Sequence, residues 1–454
     1  MLRGSSRFRL AARAAIAAVG LLGCGASPAL RAAEDGNLPE LKRAIADEVR
    51  RGDLDADEAQ RIARTVASAE AENAAGPVGA ERIRELLPCA KAIQGSLERR
   101  AEANDEVAAV AALGLLEEGL ASPEDLRERA QATASSAGPG RAGDSVAAAW
   151  RAVRARSLTA LDQGQERRKA MLDGDEGVRV AAMRAAVDAS DASDAADTDA
   201  LIEAARLDPN PLARTLAIRA LGALGGERVV LALKDIWALA DEPQRQVITT
   251  AWAAPRAIEA GGRRELLLAA ETQKGALGVA AAIAIVRAGG AGAATAIGVL
   301  ARSIETGPTR DRIFAINVSP LTAQPIREAV IKAQADSDEA VALAAMARRI
   351  EVTGTGGAKP GTPERSALIT KLLKLAANDS ALGTRARGSL ARARVPEVIP
   401  LLERHASSKS VDARTTAGLS LAAMGELPRA VGLVADPEPR VRTTVACAIL
   451  NAPR

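Results

Sequence analysis

Residues 208–214 read Asp208-Pro209-Asn210-Pro211-Leu212-Ala213-Arg214, and an alanine- and leucine-rich run at helical spacing follows them as far as residue 224. Asp or Asn before Pro favours the start of a helix, because the side chain caps free N–H groups and Pro needs no partner in the first turn. Glycines 222, 225 and 226 are placed where such a helix would stop and turn. This stretch therefore predicts a capped amphipathic helix.

The same motif, which we call the repeated phrase, recurs from about residue 170 to the end of the chain: an acidic or turn residue, several small or polar residues, an aliphatic–Arg pair and an alanine-rich run. Residues 173–179 (Asp-Gly-Asp-Glu-Gly-Val-Arg) and 436–442 (Asp-Pro-Glu-Pro-Arg-Val-Arg) are the other sharp copies. The copies are mostly about 30 to 35 residues apart, a period that indicates stacked repeats. Weaker copies centre on Val247, Val279, Arg312, Ala342, Arg385 and Arg414.

The composition favours helices over sheets. Hydrophobic residues make up 48% of the chain, but only 1% of it is aromatic, with two Phe, three Trp and no Tyr. Sheets depend on β-branched and aromatic side chains to cover their surfaces, whereas Ala and Leu are strong helix formers. We therefore expect an all-α protein whose helices pack closely through small side chains.

The repeated phrase resembles the HEAT repeat, above all the short bacterial form that is also found in phycobilisome-lyase-like proteins. The resemblance covers roughly residues 165–454 and implies a right-handed α-solenoid of HEAT-like helical repeats. In that family the repeat arginine commonly bonds the turn aspartate of a neighbouring repeat. The resemblance thus implies a structural ladder, with an anion-binding groove as the alternative role for the same arginines. Its members would be Asp173, Arg179, Asp208, Arg214, Asp379, Arg385, Arg414, Asp436 and Arg442.

The first 23 residues have the parts of a secretory signal: four arginines, a short apolar core over 14–22, and small residues after it. The core is too short to span a bilayer. The sequence Leu21-Leu22-Gly23-Cys24 resembles the lipobox of bacterial lipoproteins, which implies that Cys24 carries lipid. The alternative is an ordinary signal peptide cut nearby, after Ala26 or Ala29. In both cases the protein is exported.

The remaining chain divides by composition into four segments. Residues 24–37 are predicted to be a flexible tether, and 38–132 an α-helical N-terminal region. Residues 133–143 cluster Ser, Gly and Pro and are predicted to be a linker. Residues 144–454 are assigned to the repeat array, with a flexible glycine-rich insertion at about 352–363.

Charge and cysteine content limit the partners. Removing the four arginines of the signal segment leaves 56 basic against 57 acidic residues, a net charge of −1. With few aromatics as well, the chain is not expected to bind nucleic acid. Cys89 and Cys447 could pair after export. Because the ends of an elongated solenoid do not meet, we expect two separate buried thiols instead.

The sequence contains no recognisable catalytic or metal-binding motif. His405 is the single histidine, which removes most histidine-based catalytic groups and zinc sites, and a surface or helix-end position is expected for it. The sequence therefore predicts that the chain is not an enzyme and that it holds no cofactor or metal. A lyase-like accessory to an enzyme, implied by the family resemblance, is the alternative.

The expected function is a protein-binding scaffold in the cell envelope, attached to the membrane only through its lipid. Stacked helix pairs form an extended concave surface that can hold a protein partner. Arg219, Trp237 and Trp252 are the candidate partner-binding residues, because Trp is common at binding hot spots; core positions are the alternative for the tryptophans. A structural envelope component is the competing function, and a concave face that is polar throughout would favour it.

Overall fold

The computed structural model describes residues 26–136, 141–189, 195–352 and 354–453. Within these residues every regular element is a helix, and no strand occurs. The prediction of an all-α, HEAT-like helical-repeat solenoid is confirmed. The signal segment 1–23 and the lipidation candidate Cys24 lie outside the described residues.

Seven helices precede the predicted repeat array. They are α1 (Pro28–Glu34), α2 (Leu38–Arg51), α3 (Ala56–Glu72), α4 (Gly76–Leu86), α5 (Gln94–Ala101), α6 (Glu106–Glu117) and α7 (Pro123–Ser136). A 3-10 helix, Leu87–Ile93, joins α4 to α5.

The array itself follows as pairs of helices. These are α8 (Arg141–Arg156), α9 (Gly164–Met171), α10 (Glu176–Asp188), α11 (Ala195–Leu207), α12 (Pro211–Leu224), α13 (Glu227–Leu239), α14 (Glu242–Trp252), α15 (Pro255–Ala257), α16 (Arg263–Thr272), α17 (Gly275–Ala288), α18 (Ala293–Thr306), α19 (Thr309–Val318), α20 (Gln324–Ala333), α21 (Glu339–Glu351), α22 (Pro363–Ala376), α23 (Ala381–Arg392), α24 (Ile399–Ala406), α25 (Val411–Met424), α26 (Leu427–Ala430) and α27 (Pro439–Leu450).

The repeated phrase forms the turn before the second helix of a pair. At α12 the Asn210 side chain caps the helix by accepting hydrogen bonds from the N–H groups of Leu212 (2.7 Å) and Ala213 (3.1 Å). Gly225 ends this helix with a φ of +67°. Gly222, predicted to mark a turn, lies inside the helix instead, where an added Cβ would come within 2.7 Å of the Ala251 Cα. It is needed because α12 and α14 approach closely.

The second helices pack against one another in an unbroken circuit. It runs through α4, α6, α8, α10, α12, α14, α17, α19, α21, α23, α25 and α27, and α27 returns to pack against both α3 and α4. One hydrophobic core accordingly combines residues from the two ends of the chain, from Ala29 to Val153 and from Leu343 to Ile449. The solenoid therefore closes into a ring, and the expectation that its ends stay apart is wrong.

Polar contacts complete the junction between the chain ends. The Thr443 hydroxyl donates to the Glu85 carboxylate at 2.7 Å, and the Asn451 side-chain amide donates to the Pro88 carbonyl at 2.8 Å. Val441 and Val445 are buried in the core on the same helix. The N-terminal helices thus occupy the place that a further repeat would take.

A disulfide joins the two ends covalently. Cys89 and Cys447, 358 residues apart, are bonded with a Cα–Cα distance of 5.0 Å, within the range that disulfides allow. The expected pair of free thiols is therefore corrected. That expectation rested on an elongated solenoid, and ring closure removes its basis.

The predicted segment boundaries also change. Residues 24–37, expected to be a flexible tether, include α1, whose Ala29 is buried in the core. The expected linker 133–143 overlaps the end of α7 and the start of α8, and α6 packs directly on α8. The expected insertion 352–363 is tied down at Ala358, which is buried and donates its N–H to the Arg349 carbonyl at 2.7 Å.

Candidate functional site

The second helices line the inner face of the ring. They pack directly on their neighbours, while the first helices of neighbouring pairs contact each other less along most of the circuit. Elements on the inside of a curved array are closer together than those on the outside. The inner face is therefore the concave surface that a repeat protein offers to a partner.

An apolar groove lies on this face across α14, α17 and α19. Its volume is about 910 Å³, within the range of protein binding pockets. Ile258, Ile283, Phe314 and Val318 supply its larger apolar side chains. We call it the apolar groove; its remaining lining residues are Thr249, Thr250, Ala253, Ala254, Pro255, Glu259, Arg263, Ala280, Ala284, Arg287 and Ala288.

Local backbone geometry opens the apolar groove. After α15 the chain makes a single π-helical turn over Ile258–Gly262, and Gly261 takes a φ of +109° that favours glycine. π turns of this kind are frequent at functional sites. On α17, alanines 280, 284 and 288 recur every four residues on the groove side. The turn brings Ile258 to the groove wall, and the alanines leave its floor open.

Of the three charged side chains at the apolar groove, one has hydrogen-bond partners among the described residues and two do not. Arg263 donates to the carbonyls of Gly289 (2.5 Å) and Ala291 (3.2 Å), so its side chain is held in place. Arg287 and Glu259 are exposed. Neither has a hydrogen-bond or ion-pair partner within the part of the chain that the structure describes.

A second, more polar groove adjoins the first on the other side of α19. It crosses α19, α21 and α23, has a volume of about 460 Å³, and we call it the polar groove. Arg392 and Glu351 pair across it at 2.8 Å. Arg385 also lines it and is exposed, with no partner among the described residues. Its other lining residues are Ile313, Asn317, Ala340, Leu343, Ala344, Ala347, Thr384, Gly388, Ser389 and Thr416.

The three candidate partner-binding residues are not gathered at one surface. Trp252 is only 2% exposed and stacks on the half-buried Trp237, with ring centroids 5.0 Å apart. Arg245 lies over the Trp237 ring at 5.7 Å. Trp252 is therefore a core residue and cannot contact a partner. Arg219 is exposed on α12 and keeps that possibility.

The proposed arginine ladder has well-formed rungs at two places. Arg179 donates from Nε to the Asp208 carboxylate at 2.8 Å, and Arg414 does the same to Asp436 at 2.7 Å. Each arginine also donates to carbonyls of its own turn; Arg179, for example, bonds the Asp173 carbonyl at 2.9 Å. The guanidinium thus ties one turn to the next.

Arg214 makes half of this pattern. It donates to the carbonyls of Asp208 (2.7 Å) and Pro209 (3.3 Å) in its own turn. The carboxylate of Asp173 lies near Arg151, at 3.5 Å. Both residues therefore remain within the row of turns, although Arg214 reaches no carboxylate of the next repeat among the described interactions.

Two of the predicted ladder residues, Arg385 and Asp379, do not take part in the ladder. Arg385 points into the polar groove, and the nearby Arg387 takes the buried position, donating to the carbonyls of Ala376 and Asn378. Asp379 contacts His405 instead, with 3.0 Å between Oδ1 and Nε2. These carbonyls lie farther before their arginine in sequence than the bonded carbonyls of the other rungs do. The arginine in the buried position is therefore Arg387, two positions after Arg385.

The last rung crosses the ring junction. Arg442 donates to the carbonyls of Asp436 (2.8 Å) and Pro437 (3.1 Å) in its own turn, as Arg414 does in its turn. Its carboxylate partner is Glu70 of α3, at 2.6 Å. Glu70 therefore substitutes for the aspartate of a next repeat, and the ladder continues from the C-terminal helix into the N-terminal region.

A buried charge cluster escaped the sequence analysis. Arg167 and Asp197 form an ion pair in which both side chains are 0% exposed, and Arg168 also reaches Asp197, at 2.8 Å. Arg167 donates to the Leu158 carbonyl at 2.9 Å as well. Neither Arg167 nor Asp197 falls on the repeated phrase, so no sequence signal marked them. The cluster holds the first helices α9 and α11 together.

Two carboxylates that accept hydrogen bonds from arginines, Asp336 and Asp436, have pKa values below the ordinary range of an aspartate. The hydrogen bond from Arg312 lowers the pKa of Asp336, and the N–H of Asp338 adds to the effect. Burial alone would raise the pKa of Asp436, but hydrogen bonds from Arg414 and the Glu438 N–H outweigh it, so the pKa is lowered. Asp336 and Asp436 therefore stay ionised further into the acid range than an ordinary aspartate does.

The residues that the structure describes contain no group of His, Cys, Asp and Glu side chains that could hold a metal ion. None of their helices combines the length and apolar character needed to cross a membrane.

The chain matches no protein-family model, and it matches no curated protein either. Solved structures do match. The Escherichia coli protein YibA is 14% identical, with 60% of this chain and 95% of that chain covered and a TM-score of 0.34. Human deoxyhypusine hydroxylase is 16% identical, covering 67% and 98%, with a TM-score of 0.24. A Kap121p mutant is 10% identical, covering 86% and 55%, with a TM-score of 0.31.

At these identities the likeness concerns the helical-repeat fold alone. One match nonetheless corrects the prediction that this chain is not an enzyme. Deoxyhypusine hydroxylase is an enzyme by name. The match carries no information about any particular reaction.

Proposed function

We propose that this chain is an exported, ring-shaped scaffold that binds a protein partner on its inner face. The observation that supports it is the apolar groove, where Ile258, Ile283, Phe314 and Val318 line a recess in the concave surface. A ring that served only to give the envelope mechanical structure would need no such recess. An apolar recess with a few polar groups at its rim is the usual form of a binding site.

Two features support export. The first 23 residues have the composition of a secretory signal and lead into Cys24, the lipidation candidate. The Cys89–Cys447 disulfide is of a kind that persists in oxidising compartments outside the cytosol. Lipid at Cys24 would hold the ring at an envelope membrane, where its inner face is available to a partner.

The test is a crosslinking pull-down from the native envelope, read by mass spectrometry, with matched variants. Ala284→Glu places a charged side chain in the apolar groove, at a partly exposed position on α17. Ala238→Glu introduces the same change at an exposed position on α13, a first helix. Cys24→Ala removes the lipidation candidate.

We expect the wild-type chain and Ala238→Glu to recover the same one or two proteins. Ala284→Glu should lose them, because the longer, charged side chain occupies the recess and places a carboxylate against the apolar side chains of the partner. Loss from Cys24→Ala as well would mean that binding also needs the lipid anchor. Equal recovery by Ala284→Glu and Ala238→Glu would overturn the inner-face proposal, and no recovery by any form would favour a structural role.

A further inference from the structure

The apolar groove and the polar groove are neighbours on one continuous surface. Helix α19 separates them, with Phe314 and Val318 facing the first and Ile313 and Asn317 facing the second. A ligand that filled the apolar groove and extended past α19 would therefore meet the polar groove next. The two grooves together offer one apolar and one polar contact region to the same segment.

The charges of this joint surface are unbalanced toward positive. Four arginines line the two grooves, against the two glutamates 259 and 351. Arg263 is held by carbonyls and Arg392 by Glu351. Arg287 and Arg385 are exposed and have no partner among the described residues. Each groove thus contains one exposed guanidinium, Arg287 or Arg385, that has no partner among the described residues.

This excess is local. Without the four arginines that precede Cys24, the chain has nearly equal numbers of basic and acidic residues. Most other arginines near the turns are committed to ladder or junction contacts, as Arg414 and Arg442 are. A positive surface on an otherwise balanced chain attracts a ligand of the opposite sign and orients it as it approaches.

The shape of the surface favours a helix over an extended strand. Alanines spaced four apart on α17 leave a furrow along a helix, into which the side-chain ridge of another helix packs. No strand edge is present among the described residues for an extended segment to pair with. If the second helices were spaced regularly around the ring, about 9 Å apart, the central opening would be roughly 25 Å in diameter. Such an opening is wide enough to admit one helix about 10–12 Å in diameter.

We propose, on the basis of the proposed function, that the partner segment is an acidic amphipathic helix. Its apolar side packs into the apolar groove, and its carboxylates pair with Arg287 and Arg385 on either side of α19. An arginine binds a carboxylate in a forked, two-point geometry, which fixes the register of the helix as well as its charge.

The test uses two labelled peptides and the full chain carrying Cys24→Ala, followed by fluorescence anisotropy. The first peptide is about 18 residues long, roughly 27 Å as a helix, with leucines on one side and glutamates on the other. The second has lysine in place of each glutamate. Arg287→Glu combined with Arg385→Glu is the charge-reversed form. Arg43→Glu combined with Arg302→Glu changes the net charge equally at exposed positions on α2 and α18.

We expect the glutamate peptide to bind the unreversed chain at least about tenfold more tightly than the lysine peptide. The Arg287/Arg385 reversal should abolish or invert this preference, and the Arg43/Arg302 reversal should leave it within about twofold. Equal binding of the two peptides, no binding of either, or the same loss in both reversed forms would each overturn the proposal.

The envelope pull-down distinguishes this failure from failure of the proposed function. If Ala284→Glu loses the natural partner and the Arg287/Arg385 reversal retains it, the inner face binds a partner but not an acidic one. If both variants retain the partner, the proposed function itself fails. Loss in both, with retention by the Arg43/Arg302 form, is the result expected here.

Discussion

Opening the ring at its covalent link should destabilise the junction more than any other part of the chain. The perturbation is Cys89→Ala combined with Cys447→Ala, and alanine is suitable because both positions are buried among apolar residues. The two cysteines are separated by 358 residues. A link across so long a loop would stabilise by about 6 kcal/mol in the chain-entropy model, although measured values are typically about 2–4 kcal/mol.

The loss should fall in the measured range, at about 3 kcal/mol, because the ring has other means of closure. Val441 and Val445 remain in the shared core, and the Arg442–Glu70 ion pair remains in place. The variant should therefore stay folded and closed for most of the time. Its junction should open more often than in the disulfide-bonded chain.

Amide hydrogen exchange measures this opening directly. We expect amides of α27 and α3 to exchange about a hundredfold faster in the double variant, while those of α14, on a distant part of the circuit, change little. Adding a reductant should reproduce the effect in the wild-type chain and do nothing further to the variant. Unchanged exchange at α27, or equal acceleration at α14, would refute the assignment of the disulfide to ring closure.

Three further outcomes are expected. Glu70→Gln should lower the free energy of unfolding by about 3 kcal/mol, because it leaves the nearly buried Arg442 guanidinium without this carboxylate. The exposed Glu81→Gln should change the free energy of unfolding by less than about 0.5 kcal/mol. Urea unfolding compares the two variants, and equal effects would contradict the role of Glu70 in the last rung. Gly222→Ala should lower the free energy of unfolding by about 1–3 kcal/mol, because the added methyl group overpacks the contact between α12 and α14. Gly298→Ala, in open space within a helix, should raise the free energy of unfolding by about 0.5–1 kcal/mol. Equal Tm shifts of the two variants in thermal unfolding would contradict the close approach of α12 and α14. The folded-state pKa of Asp436 lies below its unfolded value. Its contribution to the free energy of unfolding is therefore present above about pH 4 and is lost as the pH falls through the folded-state pKa. Asp436→Asn should make Tm depend less on pH in this acid range, and an unchanged dependence would contradict the lowered pKa.

The repeat architecture was accessible from the sequence because its signals are local. A turn Asp or Asn, a following Pro and an arginine six residues after the turn begins lie within one short phrase, and each has a definite role in starting a helix. The rungs at Arg179 and Arg414 follow the same local rule. The rule fails at Arg387, where the bonded carbonyls lie nine and eleven residues back, so the spacing of the other copies points to the wrong arginine.

Ring closure was not accessible in the same way. It depends on the curvature that accumulates over many small angles between neighbouring helices, and no single phrase encodes that sum. Glu70 is 372 residues from Arg442 and lies outside the repeated phrase, so its role as the final acid of the ladder has no sequence signature. The apolar groove likewise depends on the π turn before α16, which brings Ile258 beside α17 and α19.

Site-specific photo-crosslinking tests the binding account most directly. A benzophenone amino acid would replace Ala284 in the apolar groove or Ala238 on α13, and the cells would be irradiated with the envelope intact. We predict a discrete crosslinked product from position 284 and none from position 238, with acidic helical sequence in the crosslinked peptide. Products from position 238 alone, or from both positions equally, would contradict binding on the inner face of the ring.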